Sequence, residues 1–112
     1  MSPRQSNAAL KRSAPVFAAL GDATRLHVVS RLCSEGPLSI TELTEGSDVT
    51  RQAVTKHLGV LAAAGLVRDF RDGREHVWEL KTRQLEEARR TLDAISNQWD
   101  EALERLRAMV EE

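Results

Sequence analysis

The sequence has few of the residues on which secreted and membrane proteins depend. Cys33 is its single cysteine, so no internal disulfide can form, and no signal peptide precedes the first predicted helix. No apolar run approaches the roughly 20 residues that are needed to cross a bilayer. These absences predict a soluble protein of the reducing cytoplasm that has no contact with a membrane.

Aromatic residues are also scarce, at 4% of the 112 residues, and tyrosine is absent. The core must therefore be built from Leu, Val, Ala and Ile, which suits packed helices. A chain of this length is expected to form one domain, residues 1–112, with no room for a second catalytic lobe. It lacks a nucleophile–base pattern, a glycine-rich phosphate loop and a cluster of metal ligands, so neither an enzyme nor a cofactor is expected.

The formal net charge is only −1, but the charges are unevenly distributed. Residues 49–81 carry six basic and four acidic side chains, whereas residues 82–112 carry five basic and eight acidic ones. The middle of the chain can therefore contact a polyanion, while the C-terminal part is poorly suited to do so.

Residues 49–65 have the pattern of an amphipathic helix with an exposed polar tip. The apolar stripe consists of Val54, Leu58 and Leu61. Thr50 is placed as the N-cap and Gly65 as the C′ residue. Outside the stripe, the first two turns carry Arg51, Gln52, Thr55 and Lys56. Arg and Lys can bind guanine and Gln can bind adenine in the major groove, while Thr50 and the first amides can hold phosphate, so the predicted partner is double-stranded DNA.

A shorter predicted helix precedes this one and completes a helix-turn-helix at residues 39–65. Ser39 is its N-cap, and Glu42 stands at the reciprocal position of a capping box. The turn is Gly46-Ser47-Asp48. A short helix, a glycine-containing turn and a second helix with a polar start are typical of proteins that place the second helix in the major groove.

Residues 66–80 change to a strand-like pattern and predict a β-hairpin. Asp72-Gly73 favours a two-residue type I′ turn, which requires positive φ at both central residues. The resulting pairs would be Arg71 with Arg74, Val67 with Trp78, and Asp69 with His76. Because paired arginines repel each other, a polyanion beneath them is favoured. The predicted DNA contacts of this wing are Arg71, Arg74 and Arg68.

Two further helices are predicted after a disordered start at residues 1–7. The first runs from Ala8 to Leu20 and is kinked or restarted at Pro15. Its predicted inward residues are Leu10, Ala14, Phe17, Ala18 and Leu20. The second begins after the N-cap Asp22, and its predicted inward residues are Leu26, Val29, Leu32 and Cys33. Cys33 is thus interpreted as a small core residue rather than a redox site.

Residues 82–112 contain neither Gly nor Pro and predict one long helix. Its apolar stripe is Leu85, Ala88, Leu92, Ile95, Trp99, Ala102, Leu106 and Met109, widened by Leu103 and Val110. About thirty residues make a rod of about 45 Å, which is longer than a domain of this size is wide. Part of the stripe therefore needs a partner chain to cover it.

Together these motifs resemble the ArsR/SmtB family of bacterial winged helix-turn-helix regulators, over about residues 14–81. The matching segments, in order, are Leu20-Gly21-Asp22-Ala23-Thr24-Arg25-Leu26, Ile40-Thr41-Glu42-Leu43, residues 49–58, Leu61, Ala64-Gly65-Leu66-Val67, and the Arg-Asp-Gly-Arg tip. The resemblance implies a mainly α fold with a small β-hairpin. It also implies a homodimer that binds an imperfect palindrome in promoter DNA and represses transcription until an effector releases it. Such dimers pair through the first and last helices, which implies contacts at Phe17, Leu85, Leu92, Ile95, Trp99, Leu103 and Leu106.

Metal sensing, which is common in this family, is not predicted. The family's best-known sites use cysteines in the third helix, or Asp, His and Glu on the last helix. Here residues 39–45 contain no Cys or His, and residues 82–112 contain no His. Soft and borderline metals need thiolate or imidazole ligands, so no metal site is expected and the sequence is assigned to the metal-independent branch.

Three alternatives remain open. The near-neutral charge permits a winged-helix module that binds another protein instead of DNA. A metal-responsive repressor with an atypical site is the second alternative. The third adds an unidentified small-molecule or protein effector, for example an apolar ligand between the terminal helices.

Overall fold

The computed structural model describes residues 7–111 and contains five helices and three short strands within them. In chain order they are α1 (Asn7–Leu20), α2 (Ala23–Glu35), β1 (Leu38–Ser39), α3 (Ile40–Glu45), α4 (Arg51–Ala63), β2 (Val67–Asp72), β3 (Glu75–Leu80) and α5 (Thr82–Glu111). The predicted class, mainly α with a small β-hairpin, is confirmed. The predicted disordered start lies outside the described residues except for Asn7, which belongs to α1.

The predicted helix starts are confirmed by their capping bonds. The side chains of Asp22, Ser39 and Thr50 each accept a hydrogen bond from the amide three residues later, at 3.0, 3.1 and 3.1 Å. Glu42 completes the capping box, because its carboxylate accepts a bond from the amide of Ser39 at 3.0 Å. These side chains satisfy amide donors that the first helical turn leaves unpaired.

One hydrophobic core joins helices α1, α2, α3 and α4, the sheet and the start of α5. Its buried residues are Val16, Ala19, Val28, Val29, Leu32, Leu38, Leu43, Val54, Leu58, Leu61, Leu66, Val67 and Ala88. The stripe of α4 forms the centre of this core, because Val54, Leu58 and Leu61 are fully inaccessible to solvent. No helix among the described residues is long and apolar enough to span a bilayer.

The inward faces predicted for α1 and α2 are partly wrong. Helix α1 continues through Pro15 and buries Ser13, Val16 and Ala19, whereas Leu10, Ala14 and Ala18 are exposed. Pro15 removes one donor, but Pro15 and Lys11, whose carbonyl loses its partner, are both exposed, so water can satisfy that carbonyl. Residue type suggested Leu10 as a core residue, but an apolar side chain at the surface is common.

Helix α2 is rotated in the same way. It buries Val28, Val29 and Leu32, while Leu26 is 51% exposed and Cys33 is exposed. The interpretation of Cys33 as a core residue is therefore wrong. The inward face includes Arg25, which is partly buried and donates to the carbonyl of Ala19. Because Arg25 lies on the inward face, that face is rotated away from Leu26 and Cys33.

The sheet contains a third strand that the sequence pattern did not predict. Strand β1 pairs with β3 antiparallel, with Leu38 opposite Trp78 and Ser39 opposite Val77, so the strand order is β1-β3-β2. Two residues are too few to show a period-2 pattern. This pairing attaches the start of α3 to the hairpin.

The predicted hairpin register is wrong, because the turn begins one residue later than predicted. Asp72 continues strand β2 and lies opposite Glu75, so the two-residue turn is Gly73-Arg74. Arg71 consequently lies opposite His76 and not opposite Arg74. Gly73 has a φ of 65°, and no non-glycine residue of the range 7–111 has a positive φ. Positive φ at the first central residue alone is the pattern of a type II′ turn, in which Gly is preferred at that position.

The other two predicted pairs shift with the turn. Val67 lies opposite Leu80, and Asp69 lies opposite Trp78. His76 still contacts Asp69 across the hairpin, at 3.4 Å between Nε2 and Oδ2. Asp69 and His76 are therefore diagonal neighbours, offset by two positions on the same face of the hairpin.

The first part of helix α5 packs against α1. The hydroxyl groups of Ser13 and Thr91 are buried and lie 2.7 Å apart, and Arg12 donates to Glu87 at 2.7 Å. Beyond Thr91 the apolar stripe of α5 is exposed, and the molecule is 66 Å long but only 27 and 20 Å across. The predicted long helix is therefore confirmed, and most of its length projects from the core.

The Ser13–Thr91 pair generates a stability prediction. We expect Ser13→Ala and Thr91→Val each to lower the free energy of unfolding by about 1 kcal/mol, because each removes the hydrogen bond between the two buried hydroxyl groups. The double variant should lose less than the sum of the two, because neither hydroxyl remains. Urea unfolding at a fixed protein concentration measures the free energy of unfolding of the wild type, the two single variants and the double variant. Strictly additive losses would contradict a direct bond.

Candidate nucleic-acid interface

The start of α4 presents polar side chains to solvent, as predicted. Arg51, Gln52, Thr55 and Lys56 are all exposed, whereas Val54 on the opposite side is fully buried. The hydroxyl of Thr55 donates to the carbonyl of Arg51 at 2.9 Å. This bond leaves the oxygen lone pairs and the methyl group of Thr55 available for an external partner.

The end of α4 fixes how the hairpin leaves the helix. Gly65 has a φ of 78°. Its amide donates to Ala62 and the next amide, that of Leu66, donates to Leu61, both at 3.0 Å. This pair of bonds is a Schellman motif, which requires a left-handed residue at C′. The prediction of Gly65 as the C′ residue is confirmed, and the motif turns the chain directly from α4 into β2.

Arg51 is directed toward the hairpin rather than away from the helix tip. Its Nη1 atom lies 3.3 Å from the hydroxyl oxygen of Thr41 on α3. Both residues line a cavity of about 330 Å³ between the start of α3, the start of α4 and the hairpin. Its lining also includes Arg71, Arg74, Glu75 and His76. The structure therefore places Arg71 and Arg74 close to Arg51. The sequence pattern did not predict this proximity.

Arg68 is placed differently from the other predicted DNA contacts. Its guanidinium is paired with Glu79 on the neighbouring strand, at 2.5 Å between Nε and Oε1. It does not line the cavity that contains the other three arginines. The carboxylate partner neutralises the charge that a phosphate contact would use.

His57 lies on the inner side of α4 and connects this helix to the start of α2. Its Nδ1 atom is 3.3 Å from Nη1 of Arg25 and 4.0 Å from Oδ1 of Asp22. Arg25 also donates from Nε to the carbonyl of Ala19 at 2.6 Å. These contacts place His57 within the protein. Nothing in the sequence signalled the Arg25–His57 contact, because the two residues are 32 positions apart.

Asp22 remains ionised in this cluster at lower pH than an ordinary aspartate. The backbone amide of Arg25 donates to its carboxylate and lowers its pKa, and the positive charge of Arg25 acts in the same direction. The ionised carboxylate is the form that accepts the capping bond of α2. Asp22 therefore caps α2, as predicted, and Arg25 stabilises the same helix start.

Within residues 7–111, no group of three or more His, Cys, Asp or Glu side chains could hold a metal ion. The three histidines lie on three elements, with His27 on α2, His57 on α4 and His76 on β3. Acidic side chains near each histidine are too few to complete a coordination shell in this part of the chain.

The residues predicted to form a dimer interface fall into two groups. Phe17 and Leu85 are partly buried and pack against the core of their own chain. The exposed group on α5 consists of Leu92, Ile95, Trp99, Leu103 and Leu106. Trp99 is 65% exposed, and Met109 and Val110 extend the same face to the end of the helix. A contiguous apolar face of this length is typical of a surface that another chain covers.

Comparisons with known proteins agree with this architecture. Residues 20–69 match a helix-turn-helix domain family. The chain is 41% identical over 85 residues to the HTH-type transcriptional regulator Rv2034 of Mycobacterium tuberculosis, covering 76% of each sequence. It is 31% identical over 94 residues to the HTH-type transcriptional repressor SmtB of the same species, covering 84% of this chain and 67% of that protein. The solved structure of an ArsR-like transcriptional regulator from Rhodococcus sp. RHA1 superposes with a TM-score of 0.74 at 34% identity, covering 91% of this chain and 95% of that chain.

Proposed function

The chain belongs to the ArsR/SmtB family of winged helix-turn-helix transcriptional regulators, and we propose that it is a homodimeric repressor that binds a palindromic operator without a metal. Its relatives are DNA-binding regulators and not enzymes. In this proposal residues 1–112 form one domain, with the helix-turn-helix at 39–65, the wing at 66–80 and the dimerisation helix at 82–112.

The observation that carries the proposal is the polar tip of α4. Gln52, Thr55 and Lys56 are exposed beside one another within two helical turns, and Arg51 starts the helix. Placed in the major groove, Gln52 can form a bidentate pair with adenine, Lys56 can bind guanine, and Thr55 can offer its methyl group to thymine. Thr50 and the amides that follow it would contact phosphate at the helix start.

The wing would contact the backbone beside the occupied groove. Arg71 and Arg74 are exposed on the hairpin, on the side that faces the start of α4. Arg68 would contribute least among the three arginines of the wing, because Glu79 already neutralises it. Such contacts fix the position of the protein on the duplex and carry no sequence information.

A second copy of the chain is the proposed partner for the exposed face of α5. A monomer would leave seven large apolar side chains of this face in water, Trp99 among them. Pairing two such helices buries both faces at once, and the two-fold axis would repeat the α4 tip on the second half of a palindrome. Phe17 on α1 and Leu85 on α5, which pack against the core of their own chain, would border this surface.

Repression and metal independence have separate support. The relative SmtB is named a repressor, and a protein that occupies a promoter blocks polymerase without further machinery. The described residues hold no cluster of metal ligands, and α5 contains no histidine, so a metal at the dimer interface would lack imidazole. An effector that releases the DNA would then be an organic molecule or a protein.

Replacing Gln52 tests the proposed contacts of α4. A preferred duplex is first selected from random DNA with the wild-type protein. Gln52→Ala should then weaken binding by roughly 1–3 kcal/mol when particular base pairs are present, and should leave binding to a scrambled duplex unchanged. Fluorescence anisotropy at fixed salt measures both constants. If the wild-type protein selects no duplex, the proposed function fails.

Replacing Trp99 tests the proposed dimer. Trp99→Glu should raise the dimer dissociation constant roughly thirty-fold or more, because it places a charge in the centre of an apolar interface. Asn97→Glu is the matched control, since it adds the same charge on the opposite face of α5. Sedimentation velocity across a concentration series separates one chain from two. A wild-type monomer at every concentration would contradict the dimer.

The metal-independence proposal has a direct test. We expect the dissociation constant for the selected duplex to be the same after dialysis against a chelator and after addition of equimolar Zn²⁺, because no ligand cluster couples a metal to the fold. The comparison is made at constant ionic strength. A change in affinity that is reversed by the chelator would establish an atypical metal site.

A further inference from the structure

The cavity between α3, α4 and the wing has the composition of an anion site. Its lining includes three arginines, Arg51 at the start of α4 and Arg71 and Arg74 on the hairpin. Glu75 is the one carboxylate in this lining. The formal charge of these four side chains is therefore positive. A volume of about 330 Å³ is enough for a phosphate group with part of its hydration.

Arg51 is held on the cavity side of α4 by a neighbouring helix. Its guanidinium donates to the hydroxyl of Thr41, which belongs to α3 and also lines the cavity. A side chain that contacts a base edge must extend away from the helix into the groove. Arg51 extends instead across the helix start toward Arg71 and Arg74, so its position differs from that of Gln52 and Lys56.

We propose that this cavity holds one phosphate group of the DNA backbone, bound jointly by Arg51, Arg71 and Arg74. The inference rests on the proposed function, and it assigns to Arg51 a positioning role instead of base recognition. Sequence preference is then left to Gln52, Thr55 and Lys56. One phosphate bound by both α4 and the wing would fix the distance between the two elements on the duplex.

Guanidinium groups are suited to this arrangement. Each presents several N–H donors in a planar fork, so three of them can share the oxygens of one phosphate without competing for the same lone pair. Thr41 would keep its bond to Arg51 and orient it. Glu75 would limit how strongly the cavity attracts free anions, while a phosphate on a docked duplex is held there by the other contacts as well.

The test compares Arg51→Ala with Gln52→Ala on the selected duplex and on its scrambled counterpart, between about 50 and 200 mM salt. Arg51→Ala should weaken binding to both duplexes by the same factor, up to about eight-fold near 0.1 M salt, and should reduce the salt slope by up to about 0.9, because Arg71 and Arg74 still contact the same phosphate. Gln52→Ala should weaken only the selected duplex and leave the slope unchanged. Arg71→Ala and Arg74→Ala should behave like Arg51→Ala, and a double variant with Arg51 should lose less than the sum.

Arg107→Ala is the matched control, because it removes one positive charge roughly 38 Å along α5 from the start of that helix. It should leave both affinities and the salt slope unchanged. The inference is overturned if Arg51→Ala reduces the preference for the selected duplex while the salt slope stays at the wild-type value. That result leaves the proposed function intact and makes Arg51 a base contact. Failure of the wild-type protein to bind any duplex overturns both.

A separate arm distinguishes the DNA backbone from free phosphate. Inorganic phosphate is titrated into the ¹⁵N-labelled protein without DNA, at constant ionic strength. We expect no saturable shift of the amides of Thr41 and Arg51, because a single free phosphate lacks the other contacts of a duplex. A saturable shift that Arg51→Ala abolishes, together with wild-type salt slopes for the Arg51 variant, would assign the cavity to a small anion and overturn the DNA assignment.

Discussion

The burial of one side of α4 is the constraint on which the rest of the structure depends. Val54, Leu58 and Leu61 are fully inaccessible to solvent, so the helix cannot rotate about its axis without exposing at least one of them. Each of these side chains contributes about 1.5–3 kcal/mol of burial, which is a large fraction of the net stability of a small domain. With the rotation fixed, Gln52, Thr55 and Lys56 must face solvent.

The position of the wing follows from the same constraint, because only three residues separate the end of α4 from the start of β2. The Schellman turn at Gly65 brings Leu66 and Val67 into the core immediately after α4, and both are almost fully buried. The amide of Lys81 donates to the carbonyl of Leu66 at 2.8 Å, which closes the base of the hairpin. Because the base is fixed in the core and paired with β1, the tip has little freedom to move away from α4. The backbone elements that surround the cavity are therefore positioned by the fold.

Local signals in the sequence were sufficient for the helix-turn-helix. Asp22, Ser39 and Thr50 cap their helices through bonds to residues three positions away, and such short-range chemistry is visible in a sequence. The pattern failed where distant residues decide the outcome. Strand β1 exists only because β3 pairs with it, and the inward face of α2 is set partly by the bond of Arg25 to Ala19 and its contact with His57. The predicted hairpin register is wrong because Gly73 fits both the second central position of a type I′ turn and the first central position of a type II′ turn. The choice between them depends on pairing along the whole ribbon.

A near-neutral chain can bind a polyanion if its charges are separated in space. The segment with the α4 tip and the wing has two more basic than acidic side chains, while residues 82–112 have three more acidic than basic ones. At physiological salt, charges beyond a Debye length of about 8 Å are largely screened, so the distant acidic helix repels DNA only weakly. What the duplex meets is the local field of a few arginines and Lys56. Affinity without steric fit should therefore be modest, and in the proposed dimer the spacing of two α4 tips would add to the selectivity that Gln52, Thr55 and Lys56 give each half-site.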